Sequence, residues 1–180
     1  MQIPLSSMPV LLVVDMQEGL FRGNGPPFEP ARLVANVRHL VAAARAANVP
    51  ILAARHCGPA GSPLEQGSPA TRLLPEIEID EVQDRVFYKT RPSCFSGTAL
   101  AEDLKSQGIG EIVICGMKTE YCIDTTCRVA AELGFGVVLV EDAHATVDST
   151  LLPARDIIAH HNQLLGAFAR RVRTADPVFS

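Results

Sequence analysis

Residues 111–140 decide the fold, and they read EIVICGMKTEYCIDTTCRVAAELGFGVVLV. The segment begins with a short apolar, β-branched run at 111–115 and ends with a second one at 136–140, and both are typical of buried strands. Between them, residues 119–133 predict a helix that ends at Gly134. A strand, a helix and a second strand in this order predict a crossover connection between parallel strands.

The same alternation of strands and helices extends over the rest of the chain. Residues 10–14 form a continuous apolar run, which is typical of a strand covered on both faces. The remaining strands are predicted at 50–54, 85–88 and 172–174, and the remaining helices at 31–48, 97–107 and 151–170. Residues 56–75 show neither pattern and are predicted to form a long irregular loop. We therefore expect a single domain over residues 1–180, with a three-layer α/β/α fold and about six mainly parallel strands.

Composition excludes several classes of protein. The chain has 16 basic and 20 acidic side chains, which gives a net charge of −4 and no electrostatic reason to expect nucleic acid as a partner. Its five cysteines are odd in number and form no Cys-x-x-Cys pair, which disfavours a disulfide framework and a structural zinc site. The apolar run at 9–14 is short and lacks a basic leader, so it predicts neither a membrane span nor a signal peptide. These features predict a cytoplasmic protein with no membrane partner.

Three reactive side chains are predicted at one edge of the sheet. In open parallel sheets, ligands bind beyond the carboxyl ends of the strands. Asp15 closes the first strand, Lys89 closes the third, and Cys122 follows the fourth through a short turn. Each residue alone has a structural explanation, as a helix cap, a solvated lysine or a buried thiol. Their common edge is what favours a reactive site.

Cys122 has the most informative setting. With Thr119 as the predicted N-cap, Cys122 lies in the first turn of the helix at 119–133, where unpaired N–H groups and the helix dipole favour a thiolate. We therefore expect a lowered thiol pKa, lowered further by Lys89, and Asp15 as the group that accepts and returns the proton. The other thiols are interpreted as packing groups, with the role of Cys94 left open; they are Cys57, Cys94, Cys115 and Cys127.

These residues resemble the isochorismatase-like superfamily of cysteine hydrolases, which includes nicotinamidases and N-carbamoyl amidases. The resemblance covers nearly the whole chain and rests on three segments, LLVVDMQEGLF at 11–21, YKTRPSCFSGTAL at 88–100 and GMKTEYCIDTTCRVAAELGFGVVLVEDAHAT at 116–146. It implies a catalytic triad of Asp15, Lys89 and Cys122. It also implies a non-proline cis peptide between Met117 and Lys118, and an oxyanion hole formed by the backbone N–H groups of Lys118 and Cys122.

The resemblance also bears on the reaction class and on metal binding. Isochorismatases proper act on a vinyl ether without a cysteine, so Cys122 favours hydrolysis of an amide, ureido or cyclic amide bond through a thioester. Metal-binding nicotinamidases carry an Asp-x-His pair after the second strand, where this chain has Arg55 and His56 and no aspartate. We therefore predict no metal and no cofactor. The candidate pocket residues are Phe21, His56, Tyr88, Phe95 and Tyr121.

The predicted function is hydrolysis of a small-molecule amide by Cys122. The alternative is a non-catalytic or regulatory binding protein on the same fold, against which the intact set of Asp15, Lys89 and Cys122 argues. A thiol-sensing role is disfavoured because Cys122 and Cys127 lie five positions apart on one predicted helix and point to different faces. The resemblance implies a homo-oligomer, a dimer or a higher even assembly, and the sequence does not specify the substrate.

Overall fold

The computed structural model describes residues 8–23 and 25–179, and a six-stranded sheet lies at its centre. The strands are β1 (Met8–Val14), β2 (Ile51–His56), β3 (Arg85–Lys89), β4 (Ile109–Met117), β5 (Gly136–Ala145) and β6 (Arg170–Val172). Their spatial order is β3-β2-β1-β4-β5-β6, and every neighbouring pair is parallel. The strand order reverses between β1 and β4, which is where open α/β sheets bind their ligands.

Helices cover both faces of this sheet. They are α1 (Glu18–Arg22), α2 (Pro30–Ala46), α3 (Leu100–Ser106), α4 (Asp124–Glu132) and α5 (Ala154–Leu165). The predicted apolar face of α2 is buried in one core cluster, whereas α3 and α4 bury Leu100, Leu104 and Ala130 in a second cluster on the opposite face. The predicted three-layer α/β/α fold with six strands is therefore confirmed.

The central strand β1 is buried on both faces. Leu11 and Val13 belong to the cluster under α2, while Val10, Leu12 and Val14 belong to the cluster under α3 and α4. Each of these side chains is at most 1% exposed. A strand of this kind is apolar at every position, which is why it shows no alternation of polar and apolar residues.

Several helices are shorter than their sequence patterns predict. The helix predicted at 97–107 starts at Leu100, whose N–H donates to the Thr98 hydroxyl at 3.3 Å. The helix predicted at 151–170 starts only after Pro153, which has an extended backbone, and it ends before the chain pairs with β5 as β6. That last strand accordingly lies at Arg170–Val172 rather than at 172–174.

The segments after β1 and β2 form the rim of the carboxyl edge. The first contains the short helix α1, which the sequence pattern did not predict. The second is the predicted irregular loop, in which the structure has only two 3₁₀ turns, at Pro69–Thr71 and Pro75–Ile77. Among the described ranges, no helix combines the length and apolar character that crossing a membrane requires.

Candidate active site

The structure brings Asp15, Lys89 and Cys122 into contact at the carboxyl edge of the sheet. The Lys89 ammonium lies 2.7 Å from Asp15 Oδ2 and 3.3 Å from Cys122 Sγ. The side chains of Asp15 and Lys89 are 0% exposed, whereas Cys122 is 9% exposed. Of the three residues, Cys122 is therefore the one with the largest exposed fraction.

A left-handed backbone conformation directs the Asp15 carboxylate toward Lys89. Val13 and Val14 point to opposite faces of β1, so a regular strand would place Asp15 on the face of Val13, under α2. Asp15 instead has a φ of 51°, a conformation that aspartate tolerates better than most residues. Its N–H still donates to Ala54 O at 3.1 Å. The strand pairing therefore continues up to the residue at which the side-chain direction changes.

Gly116 allows the end of β4 to approach β1 closely. Its φ is 121°, and a Cβ at this position would lie 2.1 Å from Val14 O. No side chain fits there, because the obstacle is the backbone of the neighbouring strand. The predicted cis peptide between Met117 and Lys118 comes directly afterwards and is confirmed. The segment that carries Cys122 therefore leaves the sheet in close contact with the backbone of Val14, the residue before Asp15.

Cys122 lies in a turn that is wider than a turn of α-helix. We call Thr119–Ile123 the cysteine turn; it closes with a π-type hydrogen bond from the Ile123 N–H to Lys118 O at 3.2 Å. The regular helix α4 begins only after it. The predicted N-cap role of Thr119 is wrong, because its hydroxyl is hydrogen-bonded to His144 Nδ1 at 2.9 Å. Cys122 therefore precedes α4 instead of lying in its first turn.

The expected lowering of the Cys122 pKa is also wrong. Burial raises the pKa of this thiol and the Asp15 carboxylate raises it further, while Lys89 has a smaller opposing effect. Burial likewise raises the pKa of Asp15, against the effect of Lys89. Burial acts to lower the pKa of Lys89, but Asp15 and the neighbouring thiols more than offset it, and this pKa is raised. The raised pKa values favour the protonated thiol of Cys122 and the ammonium of Lys89, and they make the Asp15 carboxylate more basic than an exposed one.

We predict that Cys122 reacts slowly with iodoacetamide at neutral pH and that its rate keeps rising with pH. Only the thiolate reacts, and the pKa of Cys122 lies above its ordinary value of 9.0. The rate should therefore increase roughly tenfold per pH unit between about pH 7 and 9. Peptide mapping by mass spectrometry measures this rate, with Cys122→Ala as the control for the assignment. A plateau below about pH 8 would contradict the raised pKa.

His56 lies beside these three residues, and Gln17 holds its backbone. His56 Nδ1 is 3.5 Å from Lys89 Nζ. The fully buried Gln17 side chain donates to His56 O at 3.1 Å and accepts from the His56 N–H at 2.6 Å. Burial lowers the pKa of His56, and Lys89 lowers it further, so the ring is neutral at neutral pH. Gln17 was not predicted as a site residue, although its place two residues after Asp15 was an available signal.

The site also contains a set of donor atoms with the spacing of a metal site. The donor atoms of Asp15, His56 and Cys122 all lie within 4.8 Å of one another. The Lys89 ammonium, however, lies within 3.5 Å of each of the three side chains. A metal ion among these donors would have to displace a buried positive charge that is paired with Asp15. The arrangement therefore favours the ammonium as the cation of this group.

Among the aromatic residues predicted to line the pocket, Tyr121 lies on the cysteine turn, where it is 58% exposed. Phe21 packs in the core cluster under α2, and Phe95 packs in the one under α3 and α4. Phe95 also stacks on Phe135, with ring centroids 5.9 Å apart. Both rings pack mainly in the core, and their role as pocket residues stays a prediction.

Tyr88 lies on the other face of the sheet from the reactive groups. Successive residues of a strand point to opposite faces, so Tyr88 points away from Lys89. Its hydroxyl accepts a hydrogen bond from Arg55 Nη1 at 3.3 Å, and Arg55 in turn pairs with Glu81. Tyr88 therefore belongs to a polar cluster on the α2 side of the sheet, in contrast to its predicted place in the pocket.

The other four cysteines are buried and free. Burial raises the pKa of Cys94 and of Cys115 to about 12. Burial also raises the pKa of Cys57 and of Cys127 above the ordinary value. Their interpretation as packing groups fits these positions, and it now includes Cys94, which is 0% exposed.

Comparison with known proteins identifies the family of the chain. The isochorismatase domain family matches residues 9–164. Streptothricin hydrolase of Streptomyces noursei is 35% identical over 143 residues, which cover 79% of this chain and 51% of that protein. Nicotinamidase 3 of Arabidopsis thaliana is 29% identical over 163 residues, which cover 82% of this chain and 78% of the relative. The chain thus spans about half the length of the streptothricin hydrolases that it matches.

A solved structure with the same architecture supports this placement. A hydrolase of the isochorismatase family from Chromobacterium violaceum superimposes with a TM-score of 0.87 at 30% sequence identity. The match covers 99% of this chain and 97% of that one. The fold in which β1 and β4 are neighbours is therefore shared over nearly the full length of both chains.

Proposed function

This chain belongs to the isochorismatase domain family; from that premise we propose that it is a hydrolase that cleaves a carbon–nitrogen bond of a small amide through a thioester on Cys122. The family resemblance inferred from the three sequence segments is thereby confirmed. The observation that carries the proposal is the buried contact of Lys89 with both Asp15, at 2.7 Å, and Cys122, at 3.3 Å. A nucleophile, a base and a fixed positive charge are thus held together at the point where the thiol meets solvent.

The first half of the proposed reaction forms the acyl-enzyme. Cys122 Sγ attacks the carbonyl carbon as its proton passes to the Asp15 carboxylate, and the carbonyl electrons move to the oxygen. The backbone N–H groups of Lys118 and Cys122 are proposed to stabilise this oxyanion. When the oxyanion collapses, the carbon–nitrogen bond breaks and Asp15 returns the proton to the departing nitrogen. A thioester and a neutral amine, or ammonia, result.

The second half releases the acid. Water loses a proton to Asp15 and attacks the thioester carbon, and the carbon–sulfur bond breaks as the proton returns to Cys122. The raised pKa of Asp15 supports this role, since a more basic carboxylate takes a proton from a thiol or from water more readily. The raised pKa of Lys89 keeps its positive charge beside Asp15 and Cys122 throughout the cycle.

The small exposure of the nucleophile supports a small substrate. Cys122 is 9% exposed, the neutral ring of His56 lies beside Lys89, and the exposed Tyr121 lies on the cysteine turn. We propose that these two side chains contact the part of the substrate next to the scissile bond. Primary amides, N-carbamoyl compounds and cyclic amides all present the same carbonyl to the thiol, so the chemistry of the site accepts each of these classes.

A small panel of substrates tests the proposal. Nicotinamide, a primary aliphatic amide and an N-carbamoyl amino acid are assayed for ammonia release, and streptothricin and a simple cyclic amide for ring opening by mass spectrometry. We expect turnover of at least one compound by the wild-type protein and none by the Cys122→Ala variant. Equal activity in both proteins would overturn the covalent mechanism.

A non-catalytic binding protein is the second candidate. The observation that favours it is burial, since Asp15 and Lys89 are both 0% exposed and the Cys122 pKa is raised. This function predicts that a panel compound binds, as measured by calorimetry, without being converted over hours.

The single domain, the cytoplasmic location and the even-numbered homo-oligomer remain predictions from the sequence.

A further inference from the structure

A series of hydrogen bonds leads from the buried Thr119 of the cysteine turn to the half-buried Asn162 of helix α5. The Thr119 hydroxyl is 2.9 Å from His144 Nδ1, and His144 Nε2 is 2.8 Å from Asn162 Oδ1. Asn162 Nδ2 donates to Glu141 O at 3.0 Å. These hydrogen bonds therefore join three elements, namely the cysteine turn, the end of β5 and α5. The reaction described above does not require a link between them.

The partners determine which nitrogen of His144 carries the proton. Because Asn162 uses its amide nitrogen to donate to a backbone carbonyl, its Oδ1 must act as the acceptor toward His144. His144 Nε2 is therefore protonated, and Nδ1 is left with the lone pair. The Thr119 hydroxyl then donates to Nδ1, so the direction of every hydrogen bond in this series is defined.

His144 stays neutral in this position. It is 3% exposed, and burial lowers its pKa to about 4. Asn162, Asp142 and Glu141 act to raise this pKa, and His161 acts to lower it, but burial has the largest effect. A neutral ring keeps the Nδ1 lone pair available, so the hydrogen bond from Thr119 persists at neutral pH.

We infer that His144 is a positioning residue that fixes the start of the cysteine turn through Thr119. This inference rests on the proposed function, because the backbone that His144 holds in place on either side of Thr119 carries the proposed oxyanion hole. The Lys118 N–H precedes Thr119 by one residue and Cys122 follows it by three. A shift of Thr119 would move the Lys118 and Cys122 N–H groups relative to the oxyanion, and such hydrogen bonds depend steeply on distance.

Three matched variants test this role. Thr119→Val keeps the shape of the side chain and removes the donor, whereas Thr119→Ser keeps the hydroxyl. Thr174→Val is the control, since the Thr174 hydroxyl is also nearly buried and donates to Asp142 Oδ1 at 2.8 Å, away from the cysteine turn. We expect Thr119→Val to lower kcat by roughly tenfold to hundredfold with little change in KM. Thr119→Ser and Thr174→Val should stay within about twofold of the wild type.

A second readout does not depend on hydrolysis. Amide hydrogen exchange at residues 118–123 should accelerate by roughly tenfold in Thr119→Val and stay unchanged in Thr174→Val. If the substrate panel gives no turnover, the proposed function fails while exchange still decides the inference. Equal kcat and equal exchange in Thr119→Val and Thr174→Val would overturn it. Should Thr119→Val not fold, Asn162→Leu, which removes the partner of His144 Nε2, is expected to give the same changes in smaller degree.

Discussion

Replacing Cys122 with alanine should abolish hydrolysis, with kcat lowered by about 10⁴-fold or more. The Cys122 sulfur is the atom that forms the thioester. Neither the Asp15 carboxylate nor the Lys89 ammonium replaces it as the nucleophile. The measurement is product formation over hours at high enzyme concentration. Intact mass spectrometry of the wild-type protein with a slow substrate should also show the added acyl group, and this mass should be missing in the variant.

The matched control for this variant is Cys127→Ala. Cys127 is also a buried, free thiol, and it lies five residues further along the chain. Its replacement should change activity by no more than about twofold, because it contacts neither of the charged residues of the site. Comparable losses in the two variants would mean that a packing defect, rather than the nucleophile, explains the effect of Cys122→Ala.

Asp15→Asn should produce a large loss of both activity and stability. The asparagine has no carboxylate to accept the thiol proton, so we expect kcat to fall by about 10³-fold or more. It also leaves the Lys89 ammonium buried without a counter-ion. Breaking a buried ion pair in this way costs about 3–5 kcal/mol in the free energy of unfolding. Urea denaturation and the substrate panel measure the two effects separately.

A double variant separates these two effects. Asp15→Asn combined with Lys89→Met removes the uncompensated charge, so most of the lost stability should return while activity stays absent. Asp103→Asn is the control, because Asp103 pairs with Arg85 at the surface and its loss should cost less than about 1 kcal/mol. Recovery of activity together with stability in the double variant would show that Asp15 has only a structural role.

The fold and the common edge of the three reactive residues could be predicted because both follow from strand positions. Val10–Val14 and Glu111–Cys115 are apolar at nearly every position, which identifies strands that are buried on both faces. Once the strands are identified, the carboxyl ends of β1, β3 and β4 must share one edge. This places Asp15, Lys89 and Cys122 at one edge, whereas their contact also depends on the left-handed conformation of Asp15, which no strand pattern predicts.

The pKa of Cys122 could not be predicted because it depends on burial and on the conformation of one turn. The sequence pattern at 119–133 is that of an ordinary helix, and Thr119 is an ordinary cap residue. The hydroxyl instead bonds to His144, which is 25 positions away and carries no signal in a local pattern. The depth of the thiol beneath the rim is likewise a property of the packed structure.

Pocket residues were the least predictable part of the site. Phe21 and Phe95 each follow a reactive residue by six positions in the sequence, but their apolar rings pack mainly in the two core clusters. Tyr88 precedes Lys89 by one residue, so the alternation of the strand directs it to the opposite face. Closeness along the chain therefore indicates little about which side chains line a pocket.

The close approach at Gly116 has a consequence for laboratory evolution of this protein. The separation of β1 and β4, and with it the distance between the base and the nucleophile, is set by backbone atoms that no mutation at other positions replaces. Libraries that vary the rim segments after β1 and β2 should therefore change which molecules are accepted while the reaction itself is retained. Gly116 is the position that such libraries should leave untouched, because any side chain there would separate the two strands that carry the chemistry.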